Sequence, residues 1–233
     1  MDIEFLWSCF KQILVGLPVT LILAISSLCC GFILALFIAW LRQSHNIILA
    51  SIARFYVFAF RGSPLLVQIF LIYYGAGQFR STFQSIGIWW ILREPMYCAI
   101  IALSLNTAAY SSEIMRGALL AVPQSNVEVG RAYGMTPLLI FRRIIFPLAL
   151  RQGLPAYSNE IILMVKSTSL ASVITILDMT GIATTIISET YRAIEVFIVA
   201  GFLYLILNFL ITRAIALWEN RLLAYTRPPS GTV

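Results

Sequence analysis

Long apolar runs without charged residues alternate with short polar segments along this chain. The clearest runs cover residues 12–41, 95–112 and 196–212. Two further runs, 55–74 and 152–176, are apolar overall but contain charged or helix-breaking residues. Because about 20 apolar residues cross a bilayer as a helix, the pattern predicts about five transmembrane helices. The polar segments between them are predicted to be connectors, notably residues 42–54, 76–93 and 183–192.

The composition also places the chain in a membrane. Of its 233 residues, 60% are hydrophobic and 11% are charged, whereas a soluble domain has about 25% charged residues. The mean hydropathy is +0.90. We therefore predict an all-α integral membrane protein that contacts the lipid bilayer. The net charge of +6 is attributed to Lys and Arg residues in cytoplasmic loops, where membrane proteins concentrate positive charge. No nucleic-acid partner is therefore expected.

The chain lacks the residues that several kinds of chemistry require. His45 is the only histidine, so no His-based metal site or acid–base pair can be formed. The phosphate-binding pattern Gly-x-x-x-x-Gly-Lys-Ser/Thr is absent, so the chain is not expected to bind ATP. We predict that it is not an enzyme and binds no metal and no cofactor directly.

The arginine and lysine positions predict the orientation. With an N-terminus outside the cell membrane, the inner segments hold ten Lys or Arg residues and the outer segments hold four. Positive residues concentrate on the cytoplasmic side of membrane proteins. The prediction is a multi-pass membrane protein with its N-terminus outside and its C-terminus in the cytoplasm.

The run at residues 152–176 contains ionisable side chains, which are expensive within a membrane and often line a pathway. At about 100° per residue, Glu160, Met164 and Ser167 share one face of a helix, whereas Lys166 lies on another. Glu160 therefore needs a positive partner from outside its own helix. Two partners remain possible at this point, namely a bound cationic substrate and an Arg or Lys of a neighbouring helix.

A charged segment follows the third apolar run and has fixed points at regular spacing. Glu128 is followed by Gly134 six residues later, then by Ile144 and by Phe146-Pro147. This pattern resembles the EAA loop of ABC importer permeases, which reads Glu-Ala-Ala, three residues, Gly, nine residues, Ile, one residue, Leu-Pro. Val129-Gly130 replace the two alanines, and phenylalanine replaces the leucine.

Local signals in this segment predict two short helices joined by a turn. Gly134 can adopt a positive φ, Thr136-Pro137 suits a helix start, and Arg142 and Arg143 are placed near that helix's C-terminal end. The resemblance implies that the two helices dock on a cytoplasmic ATPase subunit. The implied coupling residues are Glu128, Arg131, Ala132, Gly134 and Pro147.

Three other stretches carry a more specific resemblance. Residues 60–70 include Arg-Gly-Ser-Pro-Leu-Leu-Val-Gln, residues 106–117 begin Asn-Thr-Ala-Ala-Tyr, and residues 154–170 surround Glu160. Together they resemble polar-amino-acid ABC importer permeases, in particular the M-type subunit of the histidine/lysine/arginine/ornithine family and the opine (octopine and nopaline) permeases. The implied substrate-pathway residues are Glu160, Ser167, Met164 and Asn106.

This resemblance implies a type I ABC importer transmembrane domain with a cytoplasmic coupling-helix loop. It also implies that the multi-pass protein lies in the bacterial inner membrane, with a periplasmic N-terminus and a cytoplasmic C-terminus. It implies a second permease subunit in a heterodimer, an ATPase dimer that uses ATP in trans, and a periplasmic solute-binding protein. The predicted division is a periplasmic or interfacial lead-in at residues 1–12, the permease domain at 13–222 and a cytoplasmic tail at 223–233.

The predicted function is ATP-driven import of basic amino acids or opines, such as octopine, nopaline, histidine or arginine. The sequence does not distinguish between these substrates. The alternative is an ion-coupled secondary transporter of amino acids, which would use membrane carboxylates for protons or sodium. Such transporters commonly contain inverted repeats, and no internal repeat is evident here.

Overall fold

The computed structural model describes residues 2–223, and the regular elements in that range are all helices. They are α1 (Ile3–Leu14), α2 (Leu17–Arg42), α3 (Ile47–Gly62), α4 (Leu65–Gln78), α5 (Arg80–Ser85), α6 (Trp89–Leu92), α7 (Pro95–Leu120), α8 (Gln124–Ala132), α9 (Pro137–Ile140), a π-helical turn (Phe141–Ile145), α10 (Phe146–Ser167), a 3₁₀ helix (Thr168–Ile174), α11 (Met179–Thr190) and α12 (Ala193–Leu223).

Helix α7 lies at the centre of the bundle, where it packs against α2, α3, α4 and α10. Small side chains allow neighbouring membrane helices to approach closely, and most buried positions of α7 are small. At Gly31 of α2, a Cβ atom would come within 2.1 Å of the Thr107 Cγ2 atom. The small buried residues of α7 are Ala99, Ala102, Ser104, Thr107, Ala108, Ala109, Ser111 and Ser112.

The helices account for about five membrane crossings. Within the described residues, Ile3–Arg42 and Ala193–Glu219 are long and apolar enough to span a bilayer. Two bent pairs add a crossing each, Ile47–Gly62 with Leu65–Gln78 at 106° and Pro137–Ile174 with Met179–Thr190 at 45°. We count α7 as the fifth crossing because its 26 residues extend about 39 Å. It is less apolar than α2 and α12, because four hydroxyl-bearing residues, Ser104, Thr107, Ser111 and Ser112, lie among its buried positions.

The predicted connector at residues 42–54 is wrong, since α3 already begins at Ile47. The Asn46 side chain accepts a hydrogen bond from the Ile48 backbone N–H at 2.9 Å. This cap satisfies one of the free N–H groups in the first turn. The connector between α2 and α3 is therefore only four residues long, from position 43 to 46.

Two other predicted connectors contain helices. The segment 76–93 includes the end of α4 and the short helices α5 and α6. The segment 183–192 lies largely within α11, which packs on α1 and α12 and buries Ala183 and Ile186. The prediction was wrong because polar side chains, which are typical of an exposed connector, here belong to a packed helix. Thr184 and Thr185 bond back to the Gly181 carbonyl, at 2.8 and 3.1 Å, so a hydroxyl-rich helix can still pack.

The two ends of the chain differ in how far they can be described. Residues 3–12 of the predicted lead-in lie in α1, which packs against α11 and α12. Nearly all of the predicted tail, residues 224–233, lies outside the described residues.

Replacing Gly31 with valine should destabilise the bundle, because the new side chain overlaps Thr107 at the contact between α2 and α7. Overpacking of this kind costs about 1–3 kcal/mol. The measurement is thermal unfolding of the purified chain in detergent. The control is Gly201→Val, since Gly201 lies within α12 with no atom within 4 Å of an added Cβ. Equal melting temperatures for the two variants would show that the α2–α7 contact is not close.

Candidate functional site

The break between α3 and α4 is the first element of the site. Proline has no N–H and disfavours helical conformation in the residue before it, and here Ser63 is extended before Pro64. The break leaves carbonyl groups without helical partners. The Gln68 side-chain amide donates hydrogen bonds to two of them, Phe60 O at 2.8 Å and Ser63 O at 3.1 Å. Gln68 therefore stabilises the bend and is itself buried.

Asn106 links this bend to α7. Its side-chain amide donates to the Gln68 Oε1 atom at 3.0 Å and to the Phe60 carbonyl at 3.4 Å. Within the bilayer, freed backbone groups must be satisfied by neighbouring protein groups. The glutamine of the 60–70 stretch and the asparagine of the 106–117 stretch thus act on the same broken helix.

Glu160 lies on the adjacent helix α10 and has a single hydrogen-bond partner among the described side chains. The Thr107 hydroxyl of α7 donates to its Oε1 atom at 2.6 Å. Glu160 is only 7% exposed, and no Arg or Lys in residues 2–219 forms an ion pair with it. Lys166 is exposed on another face of the helix. The Arg or Lys partner considered from the sequence is therefore not found in this part of the chain.

A cavity of about 340 Å³ opens beside Glu160. It brings together all four predicted substrate-pathway residues, which come from α7 and α10. Among the described residues, Glu160 is the only carboxylate in its lining, and leucine and methionine side chains supply apolar walls. The lining residues are Ser63, Pro64, Leu65, Asn106, Tyr110, Glu160, Leu163, Met164 and Ser167. The arrangement suits a small ligand with one cationic group.

Arg61 and Tyr110 were not among the predicted site residues, although both belong to the stretches singled out above. The Arg61 guanidinium lies 5.3 Å from the centroid of the Tyr110 ring, a distance at which a cation is attracted to the ring. Tyr110 also lines the Glu160 cavity. Arg61 therefore extends along α7, beside the cavity. The sequence spacing alone could not show that these two side chains meet.

The charged loop is a second region, separate from this cavity. Helix α8 ends in a Schellman motif: the Gly134 N–H donates to the Arg131 carbonyl at 2.9 Å, and the Met135 N–H donates to the Gly130 carbonyl at 3.1 Å. Gly134 has φ +72°, which glycine adopts without steric cost. The glycine six residues after Glu128 thus terminates α8 and reverses the chain, as predicted.

The loop packs onto itself through Gly130. A Cβ atom at Gly130 would lie 2.8 Å from Ile144 Cδ1 and 3.2 Å from Ile140 Cγ1. Gly130, which stands at the second alanine position of the pattern, is therefore in contact with Ile144, the isoleucine of the pattern. Glu128, Arg131 and Ala132 remain exposed. Several large apolar side chains are exposed on the same loop, namely Val129, Tyr133, Leu138 and Phe141.

The second part of the loop differs from the prediction. Arg142 and Arg143 do not end a helix, because they lie in a π-helical turn that continues directly into α10. Pro147 explains the turn: it lacks an N–H for the Arg143 carbonyl, and the preceding Phe146 N–H donates to Phe141 O, five residues back. Such turns interrupt a helix without ending it. Thr136 occupies the N-cap position, but its side chain makes no capping hydrogen bond.

A continuous helical path therefore runs from the loop to the cavity. It begins at Pro137, passes through the π-helical turn and reaches Glu160 in α10. At 1.5 Å per residue, the two points are about 35 Å apart along the helix. The structure does not bring the predicted coupling residues and the predicted substrate-pathway residues together, but it places members of both groups on one helical path.

Comparison with known proteins identifies relatives in bacterial transport systems. The chain is 52% identical over 219 residues to the nopaline transport system permease protein NocM of Agrobacterium fabrum, which covers 94% of this chain and 91% of the relative. It is 56% identical over 218 residues to the octopine transport system permease protein OccM of Rhizobium meliloti, covering 94% and 89%. It is 41% identical over 212 residues to the arginine ABC transporter permease protein ArtM of Haemophilus influenzae, covering 91% and 92%.

A solved structure has the same fold. The crystal structure of an amino acid ABC transporter with histidines matches with a TM-score of 0.85 and 32% identity, over 95% of this chain and 99% of that chain. The predicted type I importer fold is thereby confirmed. The family described as "Binding-protein-dependent transport system inner membrane component" matches residues 12–224. The chain therefore belongs to this family of membrane permease subunits, as its sequence motifs predict.

Proposed function

We propose that this chain is the permease subunit of an ABC importer that carries an opine or a basic amino acid across the bacterial inner membrane. Support comes from the relatives, whose names assign them to nopaline, octopine and arginine transport. Nothing in the family or among these relatives favours an ion-coupled secondary transporter. The observation that carries the proposal is the helical path between the exposed loop and Glu160.

Glu160 is the residue that would contact the cationic group of the substrate. Its carboxylate is buried beside a cavity of about 340 Å³ and receives one hydrogen bond, from Thr107. A buried carboxylate is costly when it is not paired, so a bound guanidinium or ammonium group would stabilise it. Asn106, Met164 and Ser167 line the same cavity and would contact the rest of the substrate.

Ser167 is compatible with a substrate that carries carboxylates of its own. It faces the cavity together with Glu160, and a second acidic residue there would repel the extra carboxylates of an opine. A hydroxyl group can donate a hydrogen bond to such a carboxylate. A cavity with a glutamate at position 160 and a serine at position 167 therefore suits an opine as well as it suits arginine or histidine.

The loop would transmit the work of a separate ATPase. Its exposed face combines apolar side chains such as Val129 and Tyr133 with the charged Glu128 and Arg131. Docking of an ATPase subunit would bury this face, together with Ala132 and Gly134. Closure of the ATPase dimer on ATP would then move α9, and through the turn before Pro147 it would move α10 and Glu160. ATP would bind only to the partner, and this chain would hold no cofactor of its own.

The complete importer would contain a second, different permease subunit, an ATPase dimer and a periplasmic binding protein. The proposed orientation places the N-terminus in the periplasm and the C-terminus in the cytoplasm, which is supported by the ten-to-four distribution of Lys and Arg. This orientation puts the exposed loop of α8 and α9 in the cytoplasm, where an ATPase can reach it.

Glu160→Gln should reduce uptake of a radiolabelled opine or arginine by about 10- to 100-fold. The reason is that the neutral amide cannot form the charge-assisted hydrogen bond between the Glu160 carboxylate and the cationic group of the substrate. Glutamine keeps the acceptor for Thr107, so the helix contact should persist. The measurement is uptake into proteoliposomes that contain the complete importer. Glu94→Gln is the control, since Glu94 is exposed before α7. Unchanged uptake by the Glu160→Gln importer would contradict the role of this carboxylate.

Gly134→Val should abolish uptake while the protein still inserts in the membrane. A branched residue at positive φ costs about 1–3 kcal/mol, which would open the Schellman motif and displace α8. Gly87→Val is a matched control, because Gly87 also has a positive φ (+76° against +72°) but lies between α5 and α6.

The measurements are uptake and co-purification of the ATPase with each variant. Glu128→Lys should also abolish uptake. It reverses an exposed charge on the loop, whereas Gly134→Val distorts the turn. The coupling role is wrong if the Gly134→Val chain retains its ATPase and transports at the normal rate.

A further inference from the structure

A second cavity, of about 420 Å³, lies where the end of α2, the start of α3 and the end of α7 meet. It shares no lining residue with the Glu160 cavity and contains none of the loop residues proposed to contact an ATPase. Its lining is rich in cationic and polar side chains. The lining residues are Ala39, Arg42, Gln43, Ser44, His45, Ile47, Ala50, Arg54 and Arg116.

The arginines of this cavity are only partly neutralised. Glu113 pairs with both Arg42 and Arg116, and the second pair has a distance of 2.8 Å. Arg54 donates instead to the Ala50 carbonyl and to a serine hydroxyl, and it pairs with no carboxylate in the part of the chain described. Three arginines and one glutamate leave a net charge of +2 around the cavity. The first turn of α3 adds the positive end of a helix dipole.

The surroundings of the cavity are apolar and exposed. Trp40 at the end of α2 is 65% exposed, and Ile47, Ile52 and Phe55 along α3 are 58–74% exposed. Tryptophan is enriched at the level of lipid headgroups, and exposed isoleucine and phenylalanine suit acyl chains. A cationic pocket next to an apolar helix surface matches a molecule that has an anionic head and long hydrocarbon chains.

We propose that this cavity binds the phosphate headgroup of an anionic phospholipid, with Arg54 and Arg116 as the main contacts. Basic pockets between membrane helices are known to bind anionic headgroups. The proposed orientation places the pocket at the cytoplasmic surface. The acyl chains would lie along the exposed side of α3, close to the helix break that Gln68 stabilises, so the bound lipid would support the position of α3.

The test is lipid binding to the purified full-length chain in a neutral detergent, followed by native mass spectrometry. Phosphatidylglycerol, phosphatidylcholine and inorganic phosphate are titrated separately and in competition. The variants are Arg54→Gln and the control Arg93→Gln. Arg93 is an exposed arginine just before α7, about 35 Å along that helix from Arg116. Both variants lose one positive charge, so they separate a local site from general attraction.

Phosphatidylglycerol should bind more tightly than phosphatidylcholine, and Arg54→Gln should weaken its binding about five-fold, whereas Arg93→Gln should leave it unchanged. Arg116→Gln provides a second variant, with the same expected loss, if Arg54→Gln does not fold. Equal weakening by Arg54→Gln and Arg93→Gln would overturn the proposal. Equal binding of the two lipids, or complete displacement of phosphatidylglycerol by millimolar phosphate, would overturn it as well. None of these outcomes depends on transport, so the result is independent of the proposed import function.

Discussion

The need to satisfy polar groups inside a membrane shapes this protein more than any other constraint. The break before Pro64 frees backbone carbonyls, and Gln68 and Asn106 bond to them. One residue further along α7, Thr107 bonds to Glu160. A short polar line thus connects α3, α4, α7 and α10, because lipid offers no hydrogen-bond partners. The cavity lies along this line, where the polar groups are already held by the fold.

Close packing of α2 on α7 supports this arrangement. Gly31 leaves room for the Thr107 methyl group, and this contact holds Thr107 in place while its hydroxyl faces Glu160. Within residues 2–219, three buried serines near the same contact have hydroxyls without a hydrogen-bond partner, namely Ser27, Ser104 and Ser111. Their small size accounts for their position, since larger residues would separate the two helices.

In the proposed coupling, motion of the loop would pass along a helix that is disturbed but not ended. Pro147 and Pro155 both lie in the first half of α10, where each proline removes a backbone hydrogen bond. The π-helical turn absorbs the effect of Pro147, so the loop and the membrane helix remain one path. At Gly153, α10 approaches Ala118 of α7, where an added Cβ would lie 3.0 Å from the alanine Cβ. A displacement of the loop would therefore reach α7 as well as Glu160.

Much of this could be predicted from local patterns, because apolar length, glycine and proline act within a few residues of their own position. The five crossings, the reversal at Gly134 and the shared face of Glu160, Met164 and Ser167 are all local properties. The errors arose where packing or a single proline outweighs composition. The hydroxyl-rich α11 packs against α1 and α12 while its threonines bond to their own backbone. Arg142 and Arg143 lie in mid-helix because Pro147 widens a turn instead of ending it. The contacts of Gln68 with Asn106 and of Arg61 with Tyr110 come from the meeting of separate helices, which no spacing along one chain can specify.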